Sequence, residues 1–139
     1  MSNATPDQAD KMNERLFIEM FTIIQNKAHS TAVEKGFHNL LSRLKDDLGP
    51  KDYTEVKDIF IIKQLGLMCE EIGEAMSAVR HHNANDDKLT NRLGIEVEMA
   101  DCIIRIMDLA GLLKLDVAGA IIEKMAFNDK RPYLHGKTS

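Results

Sequence analysis

The chain has 139 residues, a formal charge of −4, 44% hydrophobic residues, 5% aromatic residues and no Trp. That length suits one domain with a real core, and that composition excludes a disordered chain. The acidic balance excludes a general attraction to nucleic acid or to an anionic membrane, while local cations or a metal can still serve a phosphorylated ligand.

Plentiful Leu, Ile, Ala and Met with few aromatics favour helices over sheets. In chain order, residues 1–6 are expected to be tag-derived or flexible, with Thr5-Pro6-Asp7 supplying a cap and first-turn Pro. Apolar residues from Met12 through Leu16, Met20, Ile23 and Ile24 to Ala32 predict an amphipathic first helix over about residues 8–34, broken by Gly36. Leu40, Leu41 and Leu44 could form a short helix; Gly49-Pro50 reads as a stop, followed by a polar loop. Thr54 then caps a second helix over about 55–82, and Asn83 to Asp87 is the clearest turn. A third helix starts near residues 88–90 and runs to about Lys114. Asp116 caps a fourth, which Pro132 ends. No alternating strand pattern or internal repeat is present. The expectation is an all-α chain of four main helices.

Cys69 and Cys102 lie in apolar helical patterns and read as small buried residues of a reducing compartment, without the neighbours of a zinc site. No apolar run reaches membrane-spanning length and no signal peptide opens the chain, so a cytoplasmic location is expected, with no membrane partner.

Within the second helix, Glu70-Glu71-x-x-Glu74 interrupts an apolar run. At about 100° per residue, Leu67, Met68, Ala75 and Ala78 fall within roughly 60° of Glu71, Glu74 sits about 60° away at the stripe's edge, and Glu70 lies further out. Glu71 therefore points where hydrocarbon should be buried, and an isolated charge there must be neutralised, paired or bound to a cation. Glu98-x-x-Asp101 in the third helix repeats the three-residue spacing, so both of its acids face one way. Four carboxylates at one point would select a hard cation, Mg²⁺ or Mn²⁺. For the third helix alone the preferred reading is a solvated polar stripe of Glu98, Asp101, Arg105 and Asp108, with Arg105 paired to Asp101. A di-iron bundle needs Glu-x-x-His pairs, which the chain lacks. On the fourth helix, Lys124, Asn128 and Arg131 fall within roughly 60° of one another. They suit either phosphate or the helix dipole, as the pair His81-His82 suits the end of the second helix.

These two acidic motifs, with Ala32-Val33-Glu34-Lys35-Gly36-Phe37 and the stretch from Lys124 to Gly136, resemble the MazG-like nucleotide pyrophosphohydrolases of the all-α NTP pyrophosphatase superfamily, relatives of dimeric dUTPases and dCTP pyrophosphatases. The resemblance spans about residues 28–136. It implies a single domain, a four-helix bundle completed by a homodimer or homotetramer, and Mg²⁺-dependent hydrolysis of (deoxy)nucleoside triphosphates to monophosphate and pyrophosphate. It further implies Glu71, Glu74, Glu98 and Asp101 as Mg²⁺ ligands, with Mn²⁺ as substitute. Glu70 becomes a further ligand or the group that orients or deprotonates the attacking water, and Lys124, Asn128 and Arg131 hold phosphate. The base and sugar then fall to the first helix and the segment after it: Asn26, His29, Lys35, Phe37 and His38, with Tyr133 and His135 closing over the ligand. A non-catalytic helical oligomer that binds metal or nucleotide as a sensor is the alternative, and no nucleic acid polymer is an expected partner.

Overall fold

A computed structural model describes residues 6–82 and 84–132, with side chains from residue 8 onward. The expectations placed on residues 1–5, Asn83, Tyr133 and His135 lie outside the described residues. The fold is all-α, with helices α1 (Pro6–Glu34), α2 (Asn39–Asp47), α3 (Pro50–Arg80), α4 (Gly94–Leu113) and α5 (Val117–Asp129). Among the described residues the one β-type pairing is an isolated bridge between Asn85 and Leu93. No helix among them is long and apolar enough to cross a membrane.

Several boundaries have identifiable causes. α1 ends where Gly36 takes φ +82°, a left-handed conformation that glycine adopts at low cost, and Phe37 N–H then reaches back to Ala32 O at 3.1 Å. The expected stop at Gly49-Pro50 is instead the start of α3, with Gly49 as N-cap and Pro50 in the first turn. Proline's missing N–H costs nothing there, because first-turn amides have no intrahelical acceptor. Thr54, expected to cap, lies inside the helix and donates to Pro50 O at 2.8 Å.

α4 begins later than the apolar pattern suggests. The Asp86 carboxylate accepts from the backbone N–H groups of Lys88 and Leu89, at 2.8 and 2.6 Å, and these bonds, Leu89 foremost, hold its pKa below the usual carboxylate value. Residues 86–89 are thereby committed to a turn. The helix opens after Leu93, whose N–H donates to Glu96 at 3.1 Å, a Glu reaching back as in a capping box. Asp116 caps α5 as expected, accepting from Gly119 N–H at 2.9 Å. His81 closes α3 by donating from Nδ1 to Ser77 O at 2.8 Å.

The described residues fall into two compact units, one of residues up to 24 with those from 114 onward, the other of residues 25–113. In the second unit α3 packs along α4. Met68, Cys102 and Leu109 form the buried centre, flanked by Ile61, Leu112 and Leu113. Cys102 Sγ points to Met68 O at 3.8 Å. Cys69, expected to be buried, is exposed; both thiols are free. Leu109 is 7% exposed, so Leu109→Ala should cost about 2–4 kcal/mol of unfolding free energy, read as an earlier urea midpoint. An unchanged midpoint would show that this centre does not hold the unit together.

Candidate metal centre

The α3–α4 seam carries the acidic motifs. Glu71 is buried at 6% exposure, as its place on the apolar stripe requires. Glu98 is half-buried, whereas Glu74, expected to face inward, is exposed, as are Glu70 and Asp101. One carboxylate oxygen from each of Glu71, Glu74 and Glu98 lies within 4.8 Å of the others. Glu70 and Asp101 line the same cleft of ≈ 510 Å³, together with Arg105 from α4 and Lys88 from the turn before it. All five expected acids thus line one cleft, with three of them in close contact.

Three carboxylates so close cannot all stay charged at no cost. Burial first, and then the Glu74 and Glu71 carboxylates, push the Glu98 pKa from 4.5 up to about 7. The cluster also has a counter-charge. Arg105 turns away from the anticipated i−4 partner Asp101 and donates from Nε to Glu71 Oε1 at 2.6 Å. The reason is environment. Asp101 is exposed and solvated, whereas the Glu71 side chain is 8% exposed and gains far more from a charge-assisted bond.

The donor set is all oxygen, which suits a hard divalent cation. Such an ion would replace both the proton on Glu98 and the Arg105 contact as the neutralising charge. This gives a pH prediction. Below pH 4.5 Glu98 is protonated in folded and unfolded chains alike. Between 4.5 and about 7 the folded chain holds a proton that the unfolded chain releases, so metal-free stability falls as pH rises through that window. Divalent-ion affinity should climb by up to about tenfold per pH unit over the same range, because binding displaces that proton. Calorimetric titration of Mn²⁺ from pH 5.5 to 8 should show the rise levelling off near 7; an affinity flat across the range would exclude Glu98 from the ligand set.

The other expected site residues are not among those that line this cleft. Lys124 and Asn128 are exposed on α5, in the unit that does not contain the cleft. Arg131 lies past the end of that helix, so the three do not form one helical face. Lys124 and Arg131 instead flank the Phe127 ring, 5.0 and 5.5 Å from its centroid. Asn26, Lys35 and Phe37 are exposed, Phe37 at 68%. His29 and His38 turn inward onto Asp108. Sequence reasoning did not single out Lys88 as a cleft residue. Its one signal was a cation beside Asp86-Asp87 in the turn that leads into α4.

Set against family models, curated proteins and solved structures, the chain finds no match.

Proposed function

We propose that the chain is a MazG-like nucleotide pyrophosphohydrolase, hydrolysing (deoxy)nucleoside triphosphates between the α and β phosphates to give monophosphate and pyrophosphate, in the cytoplasm. The observation that carries the reading is the meeting of Glu71, Glu74 and Glu98 within 4.8 Å, in a cleft also lined by Glu70 and Asp101. The motif resemblance supplies the reaction. Glu71, Glu74, Glu98 and Asp101 would hold Mg²⁺, which supplies neutralisation of phosphate charge and a means of activating water. Glu70, exposed at the cleft, is suited to orient or deprotonate a water molecule. Arg105 and Lys88 are cations at the same cleft, suited to phosphate oxygens. Asn26, Lys35 and Phe37 are exposed and open to base and sugar, and Lys124, Asn128 and Arg131, two cations and an amide, belong to the other unit.

A four-helix assembly completed by a homodimer or homotetramer is part of the proposal. Ile59, Ile62, Leu65, Ile72, Met76 and Val79 are each 47–69% exposed along α3, at spacings of three, four or seven. That is the pattern of a helix-pairing seam. Gly66 and Gly73 carry nothing within 4 Å of a would-be Cβ, leaving room for a second helix to approach closely.

The Glu71–Arg105 ion pair favours a second reading, in which the cluster is neutralised internally and serves a non-catalytic sensor. A panel of NTPs and dNTPs with Mg²⁺, assayed for pyrophosphate release, separates the two. Release from one or more members is expected, and no release from any would favour the sensor.

A further inference from the structure

Asp108 lies seven residues beyond Asp101, about 10 Å along α4, and is the centre of a second cluster. Its Oδ1 is 2.9 Å from His29 Nδ1 and 2.8 Å from His38 Nε2, and its Oδ2 is 3.1 Å from His38 Nε2. The three side chains come from separate segments: α1, the residue preceding α2, and α4. They are 27%, 7% and 15% exposed in the order His29, His38, Asp108. Bringing them together takes chain separations of 79 and 70 residues, so the cluster is a product of the fold and not of local sequence.

The backbone is shaped to hold it. Gly111 lies on α4 one turn past Asp108, and a Cβ there would stand 2.6 Å from His29 Cβ. Only a residue without a side chain lets α1 come near enough for His29 to reach Asp108. On the other side, the His38 ring is fixed between His29 and Phe60, with ring centroids at 5.2 and 5.8 Å.

We propose that His29, His38 and Asp108 form a site for a borderline divalent transition ion of the Zn²⁺ class, separate from the carboxylate cleft. Two imidazole nitrogens and a carboxylate are the donor set such ions prefer, and one that Mg²⁺ does not favour. One ligand atom from each residue already lies within 4.8 Å of the others. Tetrahedral zinc at its usual bond lengths separates its ligands by about 3.3 Å, so the two imidazole–carboxylate spacings of 2.9 and 2.8 Å need to widen by only a few tenths of an ångström. Each ring can bind through its contacting nitrogen as the neutral tautomer, keeping one proton on the other nitrogen. Three protein ligands would leave a fourth position for water.

The strength of the site follows from one missing contact. His38 Nδ1 is buried and has no hydrogen-bond partner among the described residues. Metal-bound imidazoles ordinarily donate that second N–H, and its loss weakens binding by about 10–100-fold. The site is therefore one of moderate affinity, open to exchange, and not a permanent structural zinc.

The test uses the full chain stripped with chelator and then held in excess Mg²⁺, so that the carboxylate cleft is occupied by its own class of ion. Titration with Zn²⁺, and with Co²⁺ followed by visible absorption, should give one site per chain, with the intense bands of a four-coordinate Co²⁺ ion. His29→Gln and Asp108→Asn should each weaken binding at least tenfold, with helical circular dichroism checked for both. His29→Gln alters a partly exposed side chain and guards against misfolding of the more buried variant. Glu71→Gln should leave this titration unchanged. The proposal is overturned if the wild-type chain takes up no Zn²⁺ under these conditions. It is equally overturned if His29→Gln binds as wild type, or if Glu71→Gln removes the Zn²⁺ signal. None of these outcomes depends on nucleotide turnover, so failure here leaves the pyrophosphohydrolase reading to its own test.

Discussion

Glu71→Ala is expected to lower pyrophosphate release on the order of 10³-fold, the scale on which charge-stabilising groups at a reaction centre act, while leaving the helices formed. Glu71 is the buried member of the carboxylate cluster, and its removal would take away the proposed ligand least replaceable by water. Stability is a separate matter. The residue left behind, Arg105, has a side chain 38% exposed and can turn to solvent once its partner is gone. The loss of the pair and the relief of carboxylate repulsion then oppose one another, and stability should stay within about 1 kcal/mol of wild type. Turnover and urea unfolding measured on the same preparation check both halves. Full activity would remove Glu71 from the mechanism, and gross unfolding would make the Glu71–Arg105 pair the principal tie between α3 and α4.

The second large effect concerns assembly. Ile72→Glu should convert the proposed oligomer to monomer, raising its dissociation constant by about 100-fold or more, because a seam packed helix to helix would have to bury unpaired carboxylates. Ile72 is 47% exposed, in line with Ile62 at 69% and Met76 at 59%, so in the isolated chain the substitution lies at the surface and should leave the fold unharmed. Light scattering across a concentration series reads the change. A wild-type chain that stays monomeric at every concentration contradicts the seam, as does an Ile72→Glu chain that still associates.

The residues show why part of this was legible in the sequence and part was not. Local signals carried the end of α1 at Gly36, the Asp116 cap and the burial of Glu71, since each depends on neighbours within a turn or two of the same helix. Proline at residue 50 was ambiguous because the same ring that ends a helix also suits its first turn. The start of α4 was displaced by Asp86, whose side chain captures two amides that helical periodicity would otherwise have used. The choice of partner for Arg105 could not be read from spacing. It depends on Glu71, 34 residues away, being buried while the nearer Asp101 is exposed. Asp108 looked like the tail of a solvated stripe because His29 and His38 reach it only through the packing that Gly111 permits.

Metal-dependent cleavage between the α and β phosphates is the reaction proposed for the carboxylate cleft between α3 and α4. Phosphorus NMR of a nucleoside triphosphate incubated with the protein and Mg²⁺ tests it most directly, with a chelator-treated sample alongside. The expected spectrum shows monophosphate and pyrophosphate in equal amounts with Mg²⁺ and unchanged triphosphate with chelator. Diphosphate and inorganic phosphate as products, or equal turnover in chelator, would contradict it.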